Sequence, residues 1–177
     1  MTHRPGQKPL DKESMIRVDQ AGEFGATRIY AGQLAVLPRG SAAAHEVARM
    51  AAQEERHRAR FDQMVADRGV RPTALQPFWD KAGFALGAVT ALISPKAAMA
   101  CTDAVETEID RHYAEQLEAL GEEDGELSEI VAQFREEELE HKEIALAHGA
   151  ADAPAYPLLH ATIRGACRFA INLSKKI

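Results

Sequence analysis

Apolar residues recur along this chain at the three- and four-residue spacing of a helix face, in long stretches separated by short breaks, and the pattern predicts an all-α protein. The first helix is predicted from about Ser14, read as its cap, to Leu37, where Pro38, Arg39 and Gly40 interrupt it. Ser41 caps a second helix that runs to about Asp67 and ends at Arg68-Gly69, with Pro72 beyond. The short link makes these two helices antiparallel neighbours. A mostly apolar stretch follows from Pro77 to Ile93, and Ser94-Pro95 then reads as a cap with proline in the first helical position. The helix begun there is predicted to reach Leu120 and break at Gly121. Another is predicted from about Asp124 to His148, stopped by Gly149. Residues 150–157 read as a loop, and a last helix is predicted from Leu158 to about Ser174.

The chain repeats itself. Glu23 to Leu37 aligns without gaps on Glu106 to Leu120, with seven of fifteen positions identical. Each copy is followed by a helix carrying Glu-x-x-His, namely Glu54 with His57 and Glu138 with His141. Residues three apart share a helix face, so one carboxylate and one imidazole of each motif can reach a common ion. The motif is weak by itself, since composition gives roughly 0.7 such pairs by chance. Register makes it specific. Glu23 and Glu54 each lie about 20 Å from the turn that joins their helices, and Glu106 and Glu138 are placed alike. Four glutamates and two histidines are therefore expected to converge at mid-height in one bundle built from two helical hairpins. That ligand set is the one found in ferritin-like di-iron or di-manganese bundles. With no thiolate it suits iron or manganese better than structural zinc. Glu54 and Glu138 are assigned a bridging role, Glu23 and Glu106 a terminal one.

Composition narrows the setting. The 177 residues fit one domain, read as residues 15–177 after a flexible N-terminal segment, 1–14. A net charge of −6 argues against general nucleic-acid binding. Met1 to Ser14 contains no apolar core of a secretory signal, so the chain is expected inside the cell. Cys101 and Cys167 are too few for a disulfide scaffold and are read as buried thiols.

Other conspicuous residues have plainer readings. In the acidic run from Arg135 to His141, Glu136, Glu137 and Glu140 are read as solvated or as partners of the ligands. His3, His45, His148 and His160 have no partner at metal spacing and are expected at the surface or at helix ends. Tyr30 and Tyr113, each seven residues after its Glu, are expected as core aromatics with satisfied hydroxyls. Arg28 and Arg111 fall off that face and are expected to pair with carboxylates between helices.

The run from Ile16 to Ala26, continued by Arg28 to Gln33, closely resembles the demethoxyubiquinone hydroxylases of ubiquinone biosynthesis. Ala100 to Thr102, Val105-Glu106, His112-Tyr113 and Phe134 to His141 resemble the same family, and the likeness extends from Met15 onward. It implies a ferritin-like monooxygenase with two Fe ions that uses O2 to hydroxylate the ring of a demethoxylated ubiquinone precursor. Carried over by motif position, the iron ligands are Glu23, Glu54, His57, Glu106, Glu138 and His141, and His112 and Tyr113 lie near the quinone ring and the input of electrons. The resemblance makes a lipid-presenting partner protein plausible.

A polyprenylated quinone substrate lives in membrane. Ala82 to Pro95 carries no charge but spans only about 21 Å as a helix, which favours an interfacial crossover over a membrane span. The last helix has Arg164, Arg168, Lys175 and Lys176 among apolar residues and no acid after Asp152, the composition of an amphipathic helix at an anionic surface. A peripheral protein on the cytoplasmic face of the inner membrane is therefore expected, with a homo-oligomer left open. The alternatives are a ferritin-like iron store, which the apolar stretch argues against, a di-metal redox protein without hydroxylation, and a non-enzymatic membrane adaptor.

Overall fold

Asp11 opens the first helix of the computed structural model, which describes residues 11–176. Its carboxylate accepts the Ser14 N–H at 2.9 Å, and α1 runs Lys12–Val36. The cap is thus Asp11 and not Ser14. Asp caps as well as Ser, and Lys12 and Glu13 are good helix formers, so the helix begins a turn earlier than expected. Residues 12–14 of the expected flexible segment belong to the helix, and 1–10 lie outside the described residues.

Among the described residues five more α-helices follow: α2 at Ala42–Asp67, α3 at Gln76–Ile93, α4 at Pro95–Leu120, α5 at Gly125–Ala147 and α6 at Tyr156–Ser174. Among the described residues there is no strand. Ser41, Ser94 and Asp124 each accept the N–H three residues on, as capping residues do. The last helix starts at Tyr156, before the expected Leu158, because Pro157 is compatible with a first helical turn.

The four helices α1, α2, α4 and α5 form the bundle, with α1 packed on α2 and α4 on α5. Both remaining helices lie on one side of it: α3 along α1, and α6 along α4. The core is divided into two main apolar clusters. Tyr30, Val47, Met50 and Met99 belong to one, and Phe61, Tyr113, Val131 and Phe134 to the other.

The α1–α3 contact depends on glycine. A Cβ at Gly87 would sit 1.9 Å from the Ile29 carbonyl oxygen, and one at Gly32 would sit 2.1 Å from the Phe84 carbonyl oxygen. The backbones meet where no side chain fits. Gly87→Ala is therefore expected to force α3 off α1 and to destabilise the protein by about 3 kcal/mol, in the overpacking range, read as a fall in Tm. Gly125→Ala, at an open position, should cost nothing comparable.

On the other flank, Glu108 of α4 is fully buried and receives Arg164 at 2.6 Å, Arg168 at 2.9 Å and Arg111 at 2.9 Å. Burial would raise its pKa, but these guanidinium groups outweigh that and hold it at about 2. A depressed carboxylate pKa stabilises the fold above about pH 4.5, and the contribution is lost as pH falls through about 2. Arg164 and Arg168 thus dock α6 instead of standing free as a basic membrane-facing pair. Arg28 pairs across helices with Asp80 at 2.5 Å, as expected, whereas Arg111 pairs along its own helix with Glu108 and Glu115. His45 is exposed, His148 caps the end of α5 through the Ile144 carbonyl, and His160 lies 3.3 Å from buried Asp103.

Candidate metal centre

Between the two apolar clusters, the helical register delivers Glu23 from α1, Glu54 and His57 from α2, Glu106 from α4, and Glu138 and His141 from α5 to one place. All six are buried. They form two overlapping groups: Glu23, Glu54, His57 and Glu138, then Glu54, Glu106, Glu138 and His141. Within each group the potential ligand atoms lie within 4.8 Å of one another. Glu54 and Glu138 belong to both groups, which is the position a bridging carboxylate would occupy.

The electrostatics are those of a site built for cations. Four carboxylates share a volume shielded from water, a costly arrangement without compensating charge. Desolvation first, and then the neighbouring carboxylates, push Glu54 and Glu106 well above the usual range, and Glu138 is raised too. Neither oxygen of Glu54 is in a hydrogen bond, nor are Glu23 Oε2 and Glu106 Oε2. His57 Nδ1 lies 3.1 Å from Glu138 and 3.5 Å from Glu23; His141 Nδ1 lies 3.1 Å from both Glu54 and Glu138. Desolvation would lower His57, but hydrogen bonding to Glu138 and the charge of nearby Glu23 prevail and take it to about 11, whereas desolvation prevails at His141 and lowers it. Orphaned buried oxygens and two inward imidazole nitrogens, without sulfur, suit a pair of iron or manganese ions.

The tyrosines cross over. Tyr30 donates to Glu106 Oε1 at 2.8 Å, and Tyr113 donates to Glu23 Oε1. Both are buried core aromatics with satisfied hydroxyls, and the partner in each case is a carboxylate of the cluster from the other hairpin. Their own ionisation is suppressed by burial. His57 stacks on Phe134 with ring centres 3.9 Å apart, which fixes its ring plane.

His112 stands outside the cluster. Its Nε2 lies 3.1 Å from Asp19, which also accepts from Gln116 at 2.8 Å. Burial, partly offset by His112 and Gln116, raises Asp19 above the usual carboxylate range. The ring borders a polar cleft with Asp11, Ser14, Glu115 and Lys175.

An apolar cavity of about 190 Å³ opens between α1, α3, α4 and α6, on the side of the bundle covered by the two added helices. Gly25, Ile29, Leu86, Val105, Ile109 and Cys167 are among its walls, and His112 is not. Behind its inner wall, a crevice too narrow for a water molecule is lined by Ala26, Ile29 and Val105 together with Tyr30 and Glu106. Cys167 is only half-buried, whereas Cys101 is fully buried behind it. Burial pushes both thiols up to about 12. The cavity was not foreseen from the sequence, because its walls come from four separated segments.

A ferritin-like helical bundle with a buried Glu/His cluster fit for two metal ions defines a class of carboxylate metalloproteins. Within it, this chain belongs to the family described as ubiquinone biosynthesis protein COQ7, whose profile matches residues 11–174. It is 53% identical over 165 residues to a Rhodospirillum rubrum protein named 3-demethoxyubiquinol 3-hydroxylase, covering 93% of this chain and 78% of that one. It is 48% identical over 169 residues to the human mitochondrial NADPH-dependent 3-demethoxyubiquinone 3-hydroxylase, covering 93% and 77%. To the yeast mitochondrial 5-demethoxyubiquinone hydroxylase it is 41% identical over 187 residues, covering 93% and 78%.

Proposed function

We propose that this protein is a di-iron monooxygenase that hydroxylates the ring of a demethoxyubiquinone or demethoxyubiquinol with O2. The observation that carries the reading is the apolar cavity whose inner wall, at Ala26, Ile29 and Val105, backs onto the Tyr30–Glu106 pair of the buried cluster. An iron store needs no such cavity for an apolar molecule. Glu23 and His57 would hold one iron, Glu106 and His141 the other, with Glu54 and Glu138 shared between them. The pair, when bound, supplies the activation of O2: one oxygen atom enters a ring C–H bond and the other leaves as water, with two electrons and two protons from an external reductant.

The residues do the rest. Ile29, Leu86, Val105 and Ile109 exclude water from a planar ring. Tyr30 and Tyr113 orient the terminal carboxylates. His112 and Asp19, between the polar cleft and the α1–α4 interior, would pass protons or electrons inward, a role supported by their buried contact at 3.1 Å. The isoprenoid tail would leave the cavity toward the apolar outer surface of α3 and α6, where the protein would sit peripherally on the cytoplasmic face of the inner membrane and meet a lipid-presenting partner. No helix among the described residues is long and apolar enough to cross a membrane.

The test is anaerobic iron(II) loading with metal quantification, then 18O2 exposure with a short-chain demethoxyquinol. About two irons per chain and one labelled oxygen in the product are expected. Iron oxidation without ring hydroxylation would overturn the reading. Tyr113→Phe keeps the ring and removes only the hydroxyl on Glu23, so helicity should be unchanged while metal affinity falls roughly 10-fold or more and turnover with it. Unchanged turnover would leave Tyr113 a packing residue only.

A further inference from the structure

The residue before each Glu-x-x-His glutamate faces the histidine of the opposite helix. Glu137, before Glu138, accepts from His57 Nε2 at 3.1 Å; Gln53, before Glu54, accepts from His141 Nε2 through its Oε1 at 3.2 Å. The two outer residues are also joined, since Gln53 Nε2 donates to Glu137 Oε2 at 2.9 Å. A continuous chain therefore runs from His57 through Glu137 and Gln53 to His141. Its two outward N–H donors leave both Nδ1 atoms, once a cation is present, as lone pairs directed at the carboxylate cluster. Glu137 accepts additionally from Gln133 at 3.0 Å, which helps to keep it ionised and in place.

The two hairpins match at every cluster residue and differ at this partner: His57 has a carboxylate behind it, His141 a neutral amide. A charge-assisted hydrogen bond is roughly twice as strong as a neutral one. It polarises the ring and strengthens its inward nitrogen as a donor. We propose that Gln53 and Glu137 are positioning residues that make the two metal positions unequal, the position at Glu23 and His57 being the tighter and the one at Glu106 and His141 the weaker. The weaker position is the one nearer the apolar cavity, with Glu106 lying behind the cavity wall formed by Ala26, Ile29 and Val105. Glu106 and His141 would thus hold an ion less tightly on the side nearer the cavity, and Glu23 and His57 would hold one more tightly on the far side.

The inference rests on the paired-metal reading, and one experiment separates the two. Metal-free protein labelled with 15N-histidine is titrated with Zn(II), a diamagnetic probe, and the Nδ1 resonances of His57 and His141 are followed. In the wild type, His57 should reach its metal-bound position first, with affinities about 10-fold or more apart. Glu137→Gln should bring the two histidines to the same midpoint. The exchange Gln53→Glu with Glu137→Gln preserves one carboxylate, one amide and the link between them, so it should reverse the order and let His141 fill first. Simultaneous filling in the wild type, or an order that the exchange leaves unchanged, would overturn the inference while two Zn(II) per chain still supported the paired site. Uptake of fewer than two with neither histidine shifted would overturn the paired site itself. Should Glu137→Gln alone fold poorly by circular dichroism, the exchange decides.

Discussion

Replacing Glu54 with glutamine is expected to abolish paired-metal binding and lower turnover by about 10³-fold or more, while making the metal-free protein more stable. Glu54 belongs to both ligand groups, so its loss weakens both positions at once. In the absence of metal, however, neither of its oxygens has a hydrogen-bond partner, and burial and three carboxylate neighbours all oppose its ionisation. A glutamine of the same shape removes that repulsion. The stability gained should be about 2 kcal/mol, within the range seen when buried charges are replaced, or about 4–8 °C in Tm for a chain of this size. With iron(II) present the order should invert, because only the wild type gains the binding free energy of two ions. Thermal melts with and without iron(II), alongside metal analysis, check both halves. A variant that melts lower than the wild type under metal-free conditions would mean that Glu54 serves packing and not ligation.

What could be read from the sequence was what lies within one helix or follows from the length of a hairpin. The Glu-x-x-His faces, the Ser41 and Ser94 caps and the common height of Glu23 and Glu54 depend on helical rise, periodicity and capping, which are local. Three features were not legible. Nothing local sets Glu108 apart from the other acids of α4, because two of its three guanidinium partners, Arg164 and Arg168, come more than fifty residues later. Gly32 and Gly87 lie inside helices, where glycine is unfavourable, and this was the available sign that two backbones meet there. The cavity walls come from α1, α3, α4 and α6, so no window of sequence contains them. Glu137 shows the boundary between the two cases: its place beside Glu138 marked it as a candidate partner of the ligands, but that its histidine is His57 follows from the α2–α5 packing alone.

Placing charges at Val89 and Leu92 is expected to release the protein from lipid vesicles and to depress activity on a long-tailed substrate far more than on a truncated one. Both residues are on the outer face of α3, Val89 55% and Leu92 71% exposed, with Phe78, Phe84 and Ile93 also exposed on that helix and Leu158 and Phe169 on α6. Patches of this kind seldom face water on a monomer without a partner or a lipid to cover them. Leu86, which from sequence belongs to the same apolar stretch, is a wall of the cavity, so a substitution there would test substrate binding and not membrane contact. Fully burying one such side chain contributes about 1.5–3 kcal/mol, and Val89→Glu with Leu92→Glu should weaken vesicle binding by roughly 100-fold or more. The salt dependence should be modest. Arg164 and Arg168 are engaged by Glu108, leaving Lys175 and Lys176 as the cations at the end of α6 to meet anionic headgroups, while the apolar contribution is unscreened. Vesicle flotation at low and high salt, paired with turnover on both substrates, makes the comparison. Equal loss of activity on the two substrates would mean that the substitutions damage the fold, and a wild type that fails to float at low salt would mean that a protein partner, and not lipid, covers this face.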